Sequence, residues 1–481
     1  MNTPRPVIAW SSAVRLALLA ATIGAAACLW WAWCHFPQLA WNEVRLAPAF
    51  ALRHGVSPYP PLGGGPLFTW IYPPVGLLLN LPATLAQSAT GALQLACLVN
   101  FLVVLGPLAV VFAGSAELRA RGASTVALAF ALGVLLVPSP NLVLQVADHA
   151  AIAFGLLSCW VLAQAGQPGP RALAAAAGLG TLAVWSKQTA VFLFAGQFVF
   201  LLLGPGRRQA FRYAAWVAGG NILAAAVAAA AFGPGQLWLN LVTIPARLPW
   251  ADVAERLAQR PAALVAQLLL PSLGLLLLWR TGRWPADTTV SGRFFRVAVA
   301  VYVAVLPVGL AAYCKIGGDT NLLHSWSYLM PALLLAWLAG THRVAAAALP
   351  LLAVTAGALA LHWPRFSTLP GGPHTGHLTM AEGITAQYPD AVWFPQNPVI
   401  TFYAGGRLWH SEDGIVTREL AGCGLTGPDF RPHLPPKLRA VAYPVFNQTH
   451  AAMSLLPTFN RTIELPYWIL LVPPPPAPVR E

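Results

Sequence analysis

Charged side chains are scarce in this sequence of 481 residues. Asp, Glu, Lys and Arg make up only 9% of the chain, only 15 residues are acidic, and 57% are hydrophobic. The apolar residues form repeated runs that are long enough to cross a hydrocarbon core of about 30 Å. This composition excludes an ordinary soluble domain and predicts an α-helical polytopic membrane protein.

Lysine is almost absent, because 25 of the 28 basic residues are Arg. The formal net charge of +13 is compatible with a nucleic-acid partner. However, the basic residues are scattered in short loops between apolar runs and do not line one face. Membrane topology explains this distribution better than nucleic-acid binding.

Three further sequence features are absent: a signal-peptide cleavage site, a cysteine framework and an internal repeat. Arg5 and Arg15 precede an apolar run that continues to about Phe36 without a small-residue cleavage site, which predicts a retained first span. The six cysteines show neither zinc-site spacing nor a disulfide framework. No repeat of fixed period occurs, so the sequence does not indicate a repeat architecture.

Eleven apolar segments are predicted to span the membrane. They lie near residues 14–36, 92–113, 124–138, 149–164, 172–186, 189–203, 213–232, 262–279, 296–314, 325–340 and 344–361. The segment from Pro73 to about Gln87 is also apolar, but it is short, begins with Pro-Pro and contains Pro82. It either crosses the membrane or lies in the interface.

The distribution of Lys and Arg decides between these two arrangements. If 73–87 does not cross, the short loops and span ends hold 13 basic residues on the cytoplasmic side and 7 on the outer side. If 73–87 crosses, the excess falls on the outer side, against the positive-inside rule. The prediction is therefore a cytoplasmic amino terminus, a long first outer loop (37–91) with interfacial helices, and a carboxyl-terminal tail outside.

The tail, residues 362–481, is predicted to form a small extracytoplasmic α/β domain that follows a membrane module of residues 1–361. It holds 16 of the charged residues, against 27 in the longer membrane part. Alternating patterns predict strands and short helices, with a flexible proline-rich end at 473–478. The strands are expected at 391–394, 439–443 and 468–472, and the helices at 379–388 and 414–421.

Polar residues that are unusual for a membrane protein fall on the predicted outer side. Glu43 is the only acidic residue before Glu117. Asp148 with His149 opens the fourth span, and Lys187 lies between two short spans. A Gly-rich loop between the ninth and tenth spans contributes Lys315, Asp319, Asn321 and His324.

Ionisable groups at membrane depth are costly and mark functional sites. A carboxylate can take the proton of an acceptor hydroxyl, and Lys or Arg can hold a phosphate leaving group. The predicted pocket, with two carboxylates and two ammonium groups open to the outer leaflet, suits the transfer of a group from a lipid phosphate.

These features resemble the GT-C integral-membrane glycosyltransferases over about residues 10–361. The features are eleven predicted spans, an acid after the first span, a long first loop with Tyr72-Pro73-Pro74, and an acid opening the fourth span. The nearest resemblance is to bacterial mannosyltransferase-like and lipopolysaccharide-modifying branches, with protein O-mannosyltransferases further away. The family often has Asp-Glu after the first span, whereas this chain has Asn42-Glu43.

The resemblance implies a function and roles for particular residues. The family transfers a sugar from a polyprenyl-phosphate donor to a lipid, glycan or protein acceptor, at the outer face of the bacterial cytoplasmic (inner) membrane, and generally inverts the anomeric carbon. Glu43 matches the general base, and Asp148 the acid that holds the acceptor or, in some members, a divalent metal ion. Whether a metal is needed stays open, with Glu43 and Asp148 as its candidate ligands. Substrate contacts are predicted for Arg45, Arg53, His54, Tyr59, Tyr72, His149, Lys187, Lys315, Asp319, Asn321 and His324.

Simpler roles are open for the same residues. Glu43 can pair with Arg45 or Arg53 at the interface, Asp148 can cap a helix, and Lys187 can snorkel to the headgroups. His149 and His324 can be polar residues satisfied at span ends, and Asp319 and Asn321 can be turn formers. In the tail, three neighbouring polar residues allow a metal site, but their surroundings favour a solvated turn: His410, Glu412 and Asp413.

Two other function classes remain as alternatives. A transporter or lipid flippase has charges along a permeation path, whereas the charges here gather at one leaflet, and no charged span centre or paired broken helices occur. A non-catalytic protein of envelope assembly tolerates the loss of all these charges.

Overall fold

The computed structural model describes residues 12–475, apart from residue 69 and the segments 121–123, 125–126, 129–130, 133–145, 260, 262–267, 281–284, 319–324, 341–370 and 446–450. The described chain is mostly helical. This follows from its apolar runs, because a helix satisfies its own backbone hydrogen bonds where no water is present.

Among the described residues up to Phe232, the helices follow the apolar runs and the loops between them. Their bounds are α1 Ser12–His35, α2 Ala40–Arg53, α3 Pro74–Leu78, α4 Ala89–Gly114, α5 Ala116–Ala120, α6 Val146–Ala163, α7 Pro170–Ser186, α8 Phe192–Leu203 and α9 Arg207–Phe232. The next six are α10 Pro234–Trp238, α11 Ile244–Arg247, α12 Val253–Gln259, α13 Leu270–Arg280, α14 Val290–Tyr313 and α15 Ser325–Gly340.

Three helices in the described part of the chain are long and apolar enough to cross a membrane alone, namely α4, α9 and α14. A fourth results if α1 and α2, which a short break separates, form one bent span. Helices overlap nine of the predicted spans. The span near 344–361 and most of that near 124–138 lie outside the described residues. The total of eleven therefore stays a prediction.

The segment that was expected to lie along the interface forms two short helices. These are α3 and a 3₁₀ turn at Leu81–Leu85, each of five residues. At about 1.5 Å per residue, α3 and this turn together reach well under the 30 Å of a hydrocarbon core. Pro74 lies in the first turn of α3, and Pro82 lies in the first turn of the 3₁₀ helix. At these positions the missing N–H of proline costs no hydrogen bond.

The chain divides into two compact units. Unit 1 contains Met1–Ala32, Asn100–Ala226 and Trp250–Leu369, and unit 2 contains Trp33–Val99, Val227–Pro249 and Pro370–Glu481. The predicted boundary at residues 361 and 362 falls in the segment 341–370, outside the described residues, and stays a prediction.

The core of unit 1 is a layer of packed apolar helices. Helix α6 lies against α7, and α14 lies against both α8 and α15. Small residues allow these close contacts, since a Cβ atom on Gly196 of α8 would lie only 2.5 Å from the Cα of Val301 in α14. Trp160 meets Phe294 edge to face, with 5.2 Å between the ring centroids.

Unit 2 contains a four-stranded sheet in its carboxyl-terminal part. The strands are β1 Val392–Trp393, β2 Ala440–Pro444, β3 Arg461–Glu464 and β4 Trp468–Val472, in the order β1-β2-β4-β3. The pair β1 and β2 is parallel, and the other two pairs are antiparallel. The helices here are α16 Gly376–Gln387, α17 Pro398–Gly405, α18 Glu412–Leu420 and α19 Gly427–Phe430.

The predicted mixed helix and strand composition of the tail is confirmed, with strands at all three expected places and helices at both. Three elements were not predicted, namely β3, α17 and the four-residue helix α19. Strand β3 has four exposed residues without apolar alternation. Helix α17 is rich in β-branched and aromatic residues, which favour strands, and forms behind Pro398 at its first turn. Residues 476–478 of the predicted flexible end at 473–478 lie outside the described residues.

Candidate functional site

Glu43 lies in the first turn of α2 and is wholly buried in unit 2. Its carboxyl group accepts hydrogen bonds at both oxygens. Asn397 donates to Oε1 from Nδ2 at 2.8 Å, and the backbone N–H of Val399 donates to Oε2 at 3.2 Å. Both donors belong to the amino-terminal end of α17, so Glu43 closes the open first turn of that helix.

Burial raises the pKa of the Glu43 carboxyl to about 8, against an ordinary value of 4.5. The hydrogen bonds from Asn397 and from the backbone of Val399 and Ile400 favour the ionised form and oppose this shift, but desolvation is the larger effect. Among the described residues Glu43 forms no ion pair with Arg45 or Arg53. The simple interface pair that the sequence allowed is therefore not present.

Asn42 occupies the position at which the family often has a second acid. Its side chain is buried, and Nδ2 donates to the carbonyl oxygen of Phe36 at 2.7 Å. This bond fastens the chain between α1 and α2. The amide therefore has a structural role next to Glu43.

Arg45 projects among aromatic rings of the first loop. Its guanidinium carbon lies 4.9 Å from the ring centre of Tyr72 and 5.4 Å from that of Trp41. The hydroxyl of the buried Tyr59 donates to the carbonyl oxygen of Tyr72 at 2.8 Å. Three predicted substrate contacts, Arg45, Tyr59 and Tyr72, thus form one group.

Arg53 and His54 end α2, away from that group along the helix. Arg53 donates to the carbonyl oxygen of Thr84 and, at 3.2 Å, to its hydroxyl. The His54 ring lies 4.7 Å from the ring of Phe402. Both side chains are thus held by other residues of unit 2. The contacts of Arg53 and His54 with a phosphate stay predictions.

Asp148 and Lys187 form a buried ion pair inside unit 1. Asp148 lies in the first turn of α6, and Lys187 directly follows the last residue of α7. Because α7 returns antiparallel to α6 after a short loop, the start of one helix meets the end of the other. The side chains are only 3% and 2% exposed. Lys187 therefore does not snorkel to a membrane surface.

His149 is buried beside this pair and lines a small cavity of about 20 Å³ with Ser327 and apolar side chains of α4 and α6. This volume is enough for one water molecule. Asp148, His149 and Lys187 thus form a second group of predicted site residues, in a different unit from the group at Arg45.

Lys315 follows the end of α14, and its ammonium lies 5.3 Å from the ring centre of Trp250. The remaining predicted contacts of the same loop, Asp319, Asn321 and His324, lie outside the described residues. Within the described residues, no group of three His, Cys, Asp or Glu side chains is arranged to hold a metal ion.

The solvated turn expected at His410 and Glu412 is wrong, because both residues are buried in unit 2. Burial lowers the pKa of His410 to about 3, and its ring stacks on Phe430. Glu412 accepts hydrogen bonds from Gln396 at 2.5 Å and from Tyr443 at 3.2 Å. These polar residues hold the core of the tail together.

Sequence reasoning missed several polar residues that the structure places near the first loop, among them Asn397 and Arg418. Asn397 contacts Glu43 from 354 residues away. Arg418 is buried and donates to the carbonyl oxygen of Pro60 at 2.8 Å and to Oδ1 of Asn240 at 3.0 Å. Neither lies in a recognisable motif, so no local signal could have identified these partners.

No protein-family model matches the chain, and no curated protein matches it. Among solved structures, the Archaeoglobus fulgidus oligosaccharyltransferase, in complex with zinc and sulfate, is similar over 91% of this chain and 69% of its own, at 11% identity and a TM-score of 0.41. ArnT from Cupriavidus metallidurans, bound to undecaprenyl phosphate, is similar over 95% of this chain and 98% of its own, at 12% identity and a TM-score of 0.38. At such identities and scores these matches assign no role to any residue.

Proposed function

We propose that this chain is a GT-C type membrane glycosyltransferase. It moves a sugar from a polyprenyl-phosphate donor to an envelope acceptor at the outer face of the cytoplasmic membrane. The observation that carries the proposal is the buried Glu43, whose pKa burial raises to about 8. A carboxylate with a pKa near the working pH is an efficient proton acceptor.

In the proposed step, the hydroxyl oxygen of the acceptor attacks the anomeric carbon while the bond between that carbon and the phosphate oxygen breaks. The hydroxyl proton passes to the Glu43 carboxylate. The electron pair of the broken bond leaves with the polyprenyl phosphate. Attack from the face opposite the leaving group inverts the anomeric configuration, and Glu43 then returns its proton to water.

Basic side chains are proposed to bind the negatively charged parts of the substrates. Lys187 is proposed to bind the donor phosphate, with Asp148 as the residue that positions its ammonium group. The buried ion pair between them supports this role, because a cation that is already oriented loses little freedom when it binds an anion. Arg45, held between the rings of Trp41 and Tyr72, is proposed as a further cationic substrate contact.

The test of the function compares cells that produce the chain with cells that lack it. Mass spectrometry is applied to extracted polyprenyl-phosphate sugars and to the envelope glycans. The expected result in the cells without the chain is the accumulation of one lipid-linked sugar and the loss of that sugar from one glycan. Unchanged amounts of every lipid-linked sugar and every glycan would contradict the proposal.

A further inference from the structure

A large groove in unit 1 is lined by none of the residues of the proposed reaction. It has a volume of about 980 Å³ and runs along α8 and α14. This volume lies at the upper end of the range of about 300–1,000 Å³ that is usual for sites that bind small molecules. Most of the groove wall is apolar, and several wall residues are exposed, including Val199 at 44%, Leu203 at 81% and Val303 at 62%.

One end of the groove is polar and carries two arginines. Arg293 and Arg296 lie near the start of α14, and Gln167, Asp287 and Thr288 from two loops complete this end. The loops after α6 and before α14 belong to the side that the distribution of basic residues predicts to be cytoplasmic. The groove therefore combines an apolar channel with a cationic end.

The two arginines differ in how they are held. Among the residues that the structure describes, Arg293 donates only to backbone carbonyl oxygens, including those of Ala163 at 2.8 Å, Asp287 at 3.0 Å and Thr288 at 3.1 Å. Its positive charge is thus fixed in place by neutral groups. Arg296 pairs with the carboxylate of Asp287, and these two side chains are 42% and 54% exposed. The three charges together leave the polar end with one net positive charge.

An exposed ion pair of this kind is held weakly, so an incoming anion can replace Asp287 as the partner of Arg296. The guanidinium group suits phosphate, because its N–H groups can bind two phosphate oxygens at once. The apolar walls, in turn, provide surface for a hydrocarbon chain. A free inorganic phosphate would leave this apolar surface uncovered.

We propose that the groove binds an anionic glycerophospholipid from the leaflet on the predicted cytoplasmic side. Its phosphate lies on Arg296, next to the fixed charge of Arg293, and an acyl chain lies along Val199, Leu203 and Val303. Basic pockets between membrane helices bind anionic lipid headgroups by this chemistry. The site is independent of the proposed sugar transfer.

The test uses the full-length chain, purified in a non-ionic detergent and examined by native mass spectrometry. Phosphatidylglycerol, phosphatidylcholine of the same acyl chains, and inorganic phosphate are titrated separately. We expect phosphatidylglycerol to bind about tenfold more tightly than phosphatidylcholine, because only its net charge complements the arginines. Equal affinity for the two lipids, or binding of inorganic phosphate alone at the same concentrations, would overturn the proposal.

Variants locate the binding site. Arg296→Gln should weaken phosphatidylglycerol binding about tenfold, and Asp287→Asn should strengthen it because the competing carboxylate is gone. Ala304→Trp, which fills the groove, should weaken the binding of both lipids. Arg171→Gln is the matched control, since Arg171 is exposed at the start of α7 and does not line the groove. If Arg296→Gln and Ala304→Trp bind lipid as Arg171→Gln does, the lipid binds elsewhere.

Discussion

The side-chain amide of Asn397 donates a hydrogen bond to the buried carboxyl group of Glu43 at 2.8 Å, across 354 residues of sequence. The backbone N–H of Val399 donates to the other carboxyl oxygen. Through these two bonds the first loop is joined to α17 of the tail within unit 2. The only acidic residue before Glu117 therefore has a structural partner as well as a proposed chemical role.

Asn397→Leu should destabilise unit 2, because it removes a donor from a buried carboxyl group. The expected cost is about 1–3 kcal/mol, the usual effect of leaving one buried polar group unsatisfied. The measurement is the midpoint of thermal unfolding in detergent, followed by tryptophan fluorescence. Gln387→Ala, at an exposed position of α16, is the control and should unfold like the wild type. Equal midpoints for the two variants would mean that the bond contributes nothing.

The stability of unit 2 should depend on pH through Glu43. Its pKa is raised from 4.5 to about 8 on folding, so the folded state binds this proton more tightly than the unfolded state. The resulting stability is fully present below about pH 4.5 and is lost as the pH rises through about 8.

Glu43→Gln should remove this dependence, because glutamine does not titrate. The measurement is the difference in unfolding midpoint between wild type and variant at pH 5, 7 and 9, in which the contributions of other groups cancel. The wild type should lose stability relative to the variant as the pH rises. A constant difference across this range would show that Glu43 titrates near its ordinary pKa.

Removing either partner of the ion pair between Asp148 and Lys187 should destabilise the protein. Lys187→Met leaves Asp148 as a buried charge without its partner ammonium, and Asp148→Asn does the same to Lys187. Each change should destabilise the protein by about 3–5 kcal/mol, whereas the double variant should recover much of this loss. Thermal unfolding of all three variants, with Arg171→Gln as an exposed control, measures the coupling. Strictly additive effects would mean that the two charges do not interact.

The sequence predicted the features that depend on local pattern. Apolar runs predicted the helices, and the alternation of apolar and polar residues predicted β2 and β4. The rarity of charge singled out Asp148 and Lys187, which the structure then brings together. That pairing was foreseeable, because two helices joined by a short loop return antiparallel and place the start of the first beside the end of the second.

Contacts between distant parts of the chain could not be predicted in this way. Asn397 is one of several polar residues in the tail, and nothing near it indicates Glu43 as its partner. His410 and Glu412 looked solvated because glycines and charges surround them, yet Phe430, Gln396 and Tyr443 bury them. Burial of a polar residue depends on partners that come from other segments, and local composition does not record these partners.

The most direct test of the proposed chemistry is the rate of sugar transfer by Glu43→Gln. Among the described residues, the side-chain oxygen of Asn397 has no hydrogen-bond partner. Its amide can therefore turn over and accept a bond from the introduced glutamine, and the fold should be retained. Transfer is measured in membranes that hold equal amounts of wild type or variant, with the lipid-linked sugars of the same cells as donor. Loss of the base should slow transfer by about 10²-fold or more at an unchanged unfolding midpoint at pH 5. A variant that transfers sugar at the wild-type rate would contradict the assignment of Glu43 as the base.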